Sequence, residues 1–500
     1  MKGAETLGSG NTLIWTLVVY NLVLLGIGLF TRRRTHDGTD FFLGGRKLGP
    51  MVAAVSASAS SSSAWTLLSV SGAAYAWGLG ALWLFPACVG GFLLNWFLLA
   101  PALHRRSHRD GTVTITDVLA GPPGRKGRRV VVWSCSLIIL VSLLAYVASQ
   151  FQAAGKAFTA HFEVDPGVAI LIGCGIVVAY TLLGGFWAVS ITDTLQGLLM
   201  AATALLLPLA AFVEVGGWSG LSSGLAGVTV PGYLSLGRNL APPAALGFVL
   251  GLLGIGLGYP GQPHVVNRFM ALNERPGSLR RARGVAIAWA VVVYGGMLLL
   301  GFCSRVLLPG VGDAEQVFFR ATTHLFPPVM AGVMVAAVLS AIMSTADSQL
   351  LVAASAVTND LGFGGRATGG MLRTSRQVVV TLSLLALFPA IFGGQKIFDN
   401  VLFAWSAMGA AFGPLLIVTV IRGPLRTGRA LAAVVTGFVL SVGAYEARRL
   451  FEGGEALAVL ERVGAFLAAL IVALWPGGAE ASVAASGEKK ASRPGGRSES

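Results

Sequence analysis

Apolar stretches long enough to cross a bilayer recur about thirteen times along this chain, with short polar loops between them. They fall at 12–31, 50–76, 79–103, 130–155, 166–184, 188–213, 241–269, 285–308, 328–357, 376–394, 397–421, 430–447 and 456–475. A helix rising about 1.5 Å per residue needs roughly 20 residues to cross about 30 Å of hydrocarbon. The pattern therefore predicts an all-α polytopic membrane protein, with one transmembrane domain over 1–475. The first span follows a short polar start and lacks a small-residue cleavage pattern, so it reads as a retained helix. Residues 476–500 are rich in Ser, Gly, Ala and Lys and are expected to be a disordered cytoplasmic tail.

Two spans break the apolar pattern. The second carries SASASSSSAW (56–65), and the seventh carries GLLGIGLGYPGQPHVVNRFM, where Gly258, Pro260, Gly261 and Pro263 must disturb a helix. Irregular backbone and hydroxyls at bilayer depth are tolerated only where they are buried in protein or line a cavity. A second hydroxyl-rich run, VLSAIMSTADSQLLVAASA (338–356), lies in the ninth span. Together the two runs suggest an oxygen cage for a hard cation such as sodium. The two broken spans stand five spans apart, as the first helices of two five-helix repeats would, over about 50–213 and 241–421. Interrupted segments at matching places in two halves point to the binding site of a secondary transporter.

Composition agrees and narrows the choice. The 500 residues are 54% hydrophobic and 12% charged, where a soluble domain carries roughly 25% charged residues. Net charge is +14, but the basic residues sit in short loops, so membrane topology accounts for them and nucleic acid does not. Basic clusters at 32–34, 105–109, 125–129, 275–283, 366–376 and 422–429 all fall on one side if the N-terminus is outside and the C-terminus cytoplasmic. Arg448 and Arg449 break the rule beside Glu446, Glu452 and Glu455. The four cysteines stand singly in apolar surroundings and read as small hydrophobes. There is no Gly-x₄-Gly-Lys-[Ser/Thr] phosphate loop, so ATP is not the expected energy source.

At this point the motifs resemble a known family. FFLGGRKLGP (41–50) with SASASSSSAW, YTLLGGFWAVSITDTLQ (180–196), GLGYPGQPH (256–264), MSTADSQLLVAASAVTNDL (343–361) and AWSAMGAAFGP (404–414) resemble the sodium:solute symporter family, most closely its bacterial sodium/proline symporters. The resemblance implies a LeuT-like core of five-plus-five inverted repeats. It also implies Na⁺-coupled import of a small organic solute by alternating access, without covalent chemistry, in the cell inner (plasma) membrane. Members carry proline, pantothenate, sugars, sialic acid, monocarboxylates or iodide.

The site residues follow from the residues and the resemblance together. In the second span, unwinding would free the carbonyls of Ala59 and Ser62. In the ninth, Ala341, Ser344 and Thr345 share a helical face at i, i+3, i+4, and the resemblance places the common sodium site on these positions. An isolated serine or threonine in a membrane helix ordinarily bonds back to its own i−4 carbonyl. Asp193 and Asp347 are carboxylates at or near membrane depth, where a charge is costly and points to function. The resemblance puts Asp193 on the inward sodium path, or in a second sodium site with Ser344, Asp347 and Ser348. A helix cap in the first turn is the other reading of Asp193.

For cargo, the family positions are Ser61, Ser63, Tyr146, Ile255, Tyr259 and Pro263, which suit a compact zwitterion such as an amino acid of proline-like size. The proline-carrying members have an aspartate where Ser61 stands and a tryptophan where Ile255 stands. Arg46 reads as a positive-inside anchor, and the resemblance implies an inner-gate contact as the other reading. Two other classes stay open: a transporter-like solute sensor, for which the chain shows no output domain after the last span, and a proton-coupled carrier or channel. A channel would want a continuous pore-lining ring, and none is apparent.

Overall fold

The computed structural model describes residues 15–24, 26–27, 46–160, 164–182, 186–363, 368–394, 396–451 and 454–475. The expected tail, the 32–34 basic cluster, the first half of FFLGGRKLGP (41–45) and Arg366 lie outside them. Among the described residues the chain is helical throughout, apart from loops and one isolated backbone bridge. Ten helical runs are long and apolar enough to span, and shorter apolar helices stand at Trp15–Leu24 and Pro166–Ala179. The longest run, Pro50–Asp110, has 61 residues. At 1.5 Å per residue it would reach about 90 Å, roughly three bilayer cores, so it cannot be one span. It divides at Gly78, whose φ of 64° and ψ of −140° leave the helix, so the second and third spans fall on either side of that break.

The helices that build the interior are α1 (Pro50–Ala64), α2 (Val70–Trp77), α3 (Ala100–Asp110), α4 (Ile115–Ala120), α5 (Arg128–Thr159), α6 (Phe186–Glu214), α7 (Pro242–Leu253), α8 (Pro263–Ala271), α9 (Ser278–Leu307), α10 (Pro328–Ser355), α11 (Ile397–Arg422) and α12 (Thr427–Leu450). α1 and α2 are halves of one broken span. Ser63 takes φ 56°, ψ −176°, and a π-helical stretch follows over Trp65–Ser69. α7 and α8 are likewise halves of one span, separated by a 3₁₀ segment at Gly254–Gly261 and an extended Gln262. The Ser run and the Gly/Pro run thus break their helices, each deep in the bundle. α1, α10 and α11 are mostly buried along their length.

Close backbone approach holds the broken segments in place. A Cβ on Gly409 of α11 would sit 2.6 Å from the Gly258 Cα. A Cβ on Gly197 of α6 would strike the Val55 and Ala59 side chains of α1 at 2.6 and 3.0 Å. Small residues at membrane helix crossings allow such contact.

The two ends of the bundle differ. At one end Leu48 pairs its backbone with Ala271 and Asn273, His104 and His108 meet Asn273 and Leu272, and Thr427 meets Lys126. Residues of the clusters at 105–109, 125–129, 275–283 and 422–429 gather on this face. The opposite end carries Lys156, Asp313, Glu315, Lys396 and Asp399. Arg448 lies at this second end, where Asp399 at 3.9 Å and Glu461 at 3.3 Å offset its charge. That pairing explains the exception to the charge pattern. All four cysteines are buried and free.

Candidate functional site

The break in α1 faces α10 and α6, and a polar cluster fills the contact. Helical phase puts Ser56 and Ser60 on one face of α1, one turn apart. Ser56 Oγ donates to Asp193 Oδ2 at 2.8 Å and Ser60 Oγ donates to the same oxygen at 3.2 Å. Ser60 also joins α1 to α10, since its Oγ donates to the Ser344 carbonyl at 3.1 Å and lies 3.0 Å from Ser348 Oγ. In return Thr345 Oγ1 donates to the Ser60 carbonyl at 3.2 Å. Other hydroxyls do bond back along their own helix. Ser58 bonds to Ala54, Ser61 to Ser58, Thr66 to Ser62, and Ser344 reaches Ala341 at 3.4 Å.

Every residue expected at the ion site is buried: Ala59, Ser62, Ala341, Ser344, Thr345, Asp193, Asp347 and Ser348. The structure brings the second and ninth spans together at these positions, with the direct contact made through Ser60. Asp193 is the eighth residue of α6, not a residue of its first turn, so it is no cap. Neither carboxylate oxygen of Asp347 has a hydrogen-bond partner among the described residues. A buried carboxylate with no partner beside hydroxyl and carbonyl oxygens is a donor set suited to a hard cation.

Sequence reasoning missed Arg268, on α8. Its guanidinium lies 2.9 Å from Asp193 Oδ2, with both side chains buried. The same group donates to Ser348 Oγ at 2.5 Å, to Ser56 Oγ at 3.1 Å and to the His264 carbonyl, and lies 5.2 Å over the Phe186 ring. An arginine inside an apolar span was the available signal.

The expected cargo residues surround an aromatic centre. Tyr146 Oη accepts from Trp405 Nε1 at 2.8 Å. Trp405 also packs edge-on against Tyr259, ring centres 4.6 Å apart, and against Trp65 at 5.7 Å. Tyr259 Oη lies 2.7 Å from Tyr294 Oη. Ile255 lines a cavity of about 10 Å³ with Trp405 and Ser406. Ser61 and Ser63 flank the α1 break, and Ser63 Oγ accepts from the Trp65 amide at 3.2 Å. Pro263 opens α8. The indole of Trp405 therefore stands between the Tyr146 and Tyr259 rings, and sequence alone gave it no role.

Both ends of the bundle carry polar contacts. Arg46 Nε donates to Ser107 Oγ and its Nη2 donates to the Thr112 carbonyl, both at 3.0 Å. It braces the segment before α1 against the end of α3. At the opposite end a cavity of about 420 Å³ is lined by Trp77, Arg238, Phe248, Glu315, Lys396 and Asp399. Glu315 ties its neighbours together. It accepts from Ser69 Oγ at 2.8 Å, Lys156 Nζ at 2.6 Å and the Phe398 amide at 2.8 Å.

The profile of the Sodium:solute symporter family matches residues 41–437. The osmoregulated proline transporter OpuE of Bacillus subtilis (strain 168) is 34% identical over 454 residues, covering 87% of this chain and 91% of its own. The sodium/proline symporter of Escherichia coli (strain K12) is 32% identical over 437 residues, covering 84% and 85%. The substrate-bound outward-open structure of a Na⁺-coupled sialic acid symporter aligns with a TM-score of 0.74 at 19% identity, over 92% of this chain and 97% of that one. MhsT in complex with L-phenylalanine aligns with a TM-score of 0.52 at 15% identity, over 84% and 97%. The structural likenesses bear on the fold, which is the all-helical, LeuT-like one.

Proposed function

Because this chain belongs to the sodium:solute symporter family, we propose that its sodium site lies where α1 breaks against α10 and that its cargo is a small amino acid of proline-like size. The chain is a Na⁺-coupled symporter and an integral membrane protein, not an enzyme. The observation that carries the ion site is the Thr345 hydroxyl on the Ser60 carbonyl at 3.2 Å, three residues before the Ser63 break. In this reading Na⁺ is held by carbonyls of Ala59, Ser62 and Ala341 and hydroxyls of Ser344 and Thr345. A bound cation supplies positive charge that ties α1 to α10.

Asp347 and Ser348 serve a second sodium in the same reading. Asp193 stands on the release path, its charge offset by Arg268 while no ion passes. The single transporter domain comprises repeats at about 50–213 and 241–421. The basic face is cytoplasmic, so the N-terminus is outside and the C-terminus inside, in the plasma membrane.

The cargo reading rests on the curated relatives named as proline transporters and on the pocket's chemistry. Tyr146, Tyr259, Ser61 and Ser63 offer few polar groups around aromatic faces and Ile255. A sugar would leave many hydroxyls unpaired there. Cargo would enter past the 420 Å³ cavity while the Leu48 bridge and Arg46 close the basic end. Trp405 must give up its contact between the two tyrosines to admit it.

Proteoliposome uptake tests this reading. Labelled proline should accumulate under an inward Na⁺ gradient, and other small amino acids should compete. Competition by pantothenate, a sugar or a monocarboxylate, with none by amino acids, overturns the cargo and leaves the symporter intact.

A further inference from the structure

The last span, Glu455–Leu474, lies beyond residue 437, where the family match ends, yet two charges sit inside it. Glu461 and Arg462 are the seventh and eighth residues of this 20-residue run, and both are buried. Neighbouring residues of an α-helix diverge by about 100°. Here a π-helical stretch at Leu460–Gly464 carries both, and such stretches are frequent at functional sites. Charges inside a span are costly and point to function. The ion and cargo readings above use neither.

Arg462 reaches the broken seventh span. Its Nη1 donates to the Gly251 carbonyl at 2.8 Å, in the last turn of α7 just ahead of the 3₁₀ segment. A helix leaves its last carbonyls without partners of its own, and that end carries partial negative charge. The Gly254 amide turns back to the Leu250 and Leu252 carbonyls, and Arg462 takes the one between them. It thus caps, from another span, a helix end that stands inside the bundle. Close approach makes the reach possible. Gly247, Gly251 and Gly254 face the last span: a Cβ on Gly247 would lie 2.9 Å from Glu455 Cβ, and one on Gly254 2.9 Å from Arg462 Cβ.

The charges around the guanidinium are held more loosely. Arg462 Nε lies 3.8 Å from Glu461 Oε1. Arg448 Nη2 lies 3.3 Å from Glu461 Oε2 and 3.9 Å from Asp399. Neither Glu461 oxygen nor Arg462 Nε has a hydrogen-bond partner among the described residues. Glu461 therefore balances charge, while the directed contact of Arg462 is the Gly251 carbonyl. Arg462 also stands between two cavities. It lines the outer one of about 420 Å³ and the one of about 10 Å³ beside Ile255, Trp405 and Ser406, and it is the one residue the two share.

We propose that Arg462 is a positioning residue for cargo. By capping α7 it fixes Ile255, in the segment that follows, and its side chain walls the outer cavity off from the Trp405 pocket. The cargo role rests on the reading of Ile255 and Trp405 given above, but the wall between the cavities does not.

The test uses the full chain in proteoliposomes, with labelled proline and an inward Na⁺ gradient. Arg462→Met with Glu461→Gln removes both buried charges, so neither is left without the other. Its KM for proline should rise about tenfold, the scale of one lost hydrogen bond from a charged donor. The Na⁺ concentration for half-maximal uptake at saturating proline should stay within about twofold, as for a separate site. Arg462→Lys keeps a charged donor and should stay within about threefold of the wild-type KM. Glu461→Gln alone keeps the Gly251 contact and should leave KM nearly unchanged. A role in folding alone would lower yield and maximal uptake without moving KM selectively. A second readout needs no transported solute. In the double-variant background, Ser406→Cys should react several-fold faster with a membrane-impermeant thiol reagent, because the two cavities join where Arg462 stood. The proposal is overturned if the double variant, recovered monodisperse, keeps the wild-type KM or shifts Na⁺ dependence as much as KM. It is equally overturned if Arg462→Lys is as impaired as the double variant, or if the Ser406→Cys rate is unchanged. If wild type takes up no proline, the cargo reading fails by itself, and the Ser406→Cys rate decides this proposal.

Discussion

Removing Arg268 should expose how much the release path depends on one buried ion pair. In the native protein its guanidinium meets Asp193 at 2.9 Å with both side chains out of water. Arg268→Ala would leave Asp193 with only hydroxyl donors, Ser56 at 2.8 Å, Ser60 at 3.2 Å and Ser348 at 3.5 Å, while its second oxygen has no partner among the described residues. Breaking a buried pair by deleting one partner costs about 3–5 kcal/mol, most of it the unmet charge left behind. Asp193→Asn in the same chain removes that charge. The double variant should therefore recover much of the loss, giving a coupling of about 2–3 kcal/mol between the two positions. Unfolding of the four proteins of the cycle in mixed micelles measures it. Arg268→Lys should fall in between, since a point charge cannot reach Asp193, Ser56 and Ser348 together as the planar fork does. Additive effects within about 0.5 kcal/mol would refute the reasoning, because independent sites behave that way.

Two further outcomes are expected. Glu315→Gln should loosen the outer end, because Lys156 loses the nearer of its two charge partners, at 2.6 Å, and keeps only Asp313 at 2.9 Å, while Ser69 and the Phe398 amide keep an acceptor. A cysteine at Ser69 should then react with a membrane-impermeant thiol reagent several-fold faster, and an unchanged rate would mean that Glu315 is no latch. Ile255→Trp should shift selectivity among amino acids with less than about a twofold change in Na⁺ dependence. Ile255 packs with Trp405 beside a cavity of only about 10 Å³, so the added ring must displace Trp405 or overpack by about 1–3 kcal/mol. Equal changes in both readouts would place Ile255 at the ion site.

Much of this was legible in the chain, and the misses have physical causes. The spans were readable because bilayer thickness fixes helix length. The two breaks were readable because Gly, Pro and clustered Ser cannot sit quietly in an apolar helix. The pairing of the second and ninth spans followed from hydroxyl runs with no other use at that depth. Ser56 and Ser60 were overlooked because a run of serines hides its helical phase, and that phase sends these two hydroxyls to Asp193 while Ser58 and Ser61 bond back to their own helix. Arg268 was not legible because its partner, Asp193, lies 75 residues away on another helix. Glu315 lies in a short 3₁₀ turn, where no periodicity marks it, and its role arises from three distant segments meeting at one carboxylate. Trp405 looks like any core aromatic until its indole N–H is found on Tyr146.

The most direct test of the sodium site is the Na⁺ dependence of solute uptake by Thr345→Ala in proteoliposomes. The substitution deletes one hydroxyl and its 3.2 Å bond to the buried Ser60 carbonyl, a loss of about 1–3 kcal/mol to the fold, so the protein should insert and remain monodisperse. The Na⁺ concentration for half-maximal uptake should rise about tenfold or more, with maximal uptake at saturating Na⁺ largely kept. An unchanged half-maximal concentration in the folded variant would contradict the account and move the ion away from the break in α1.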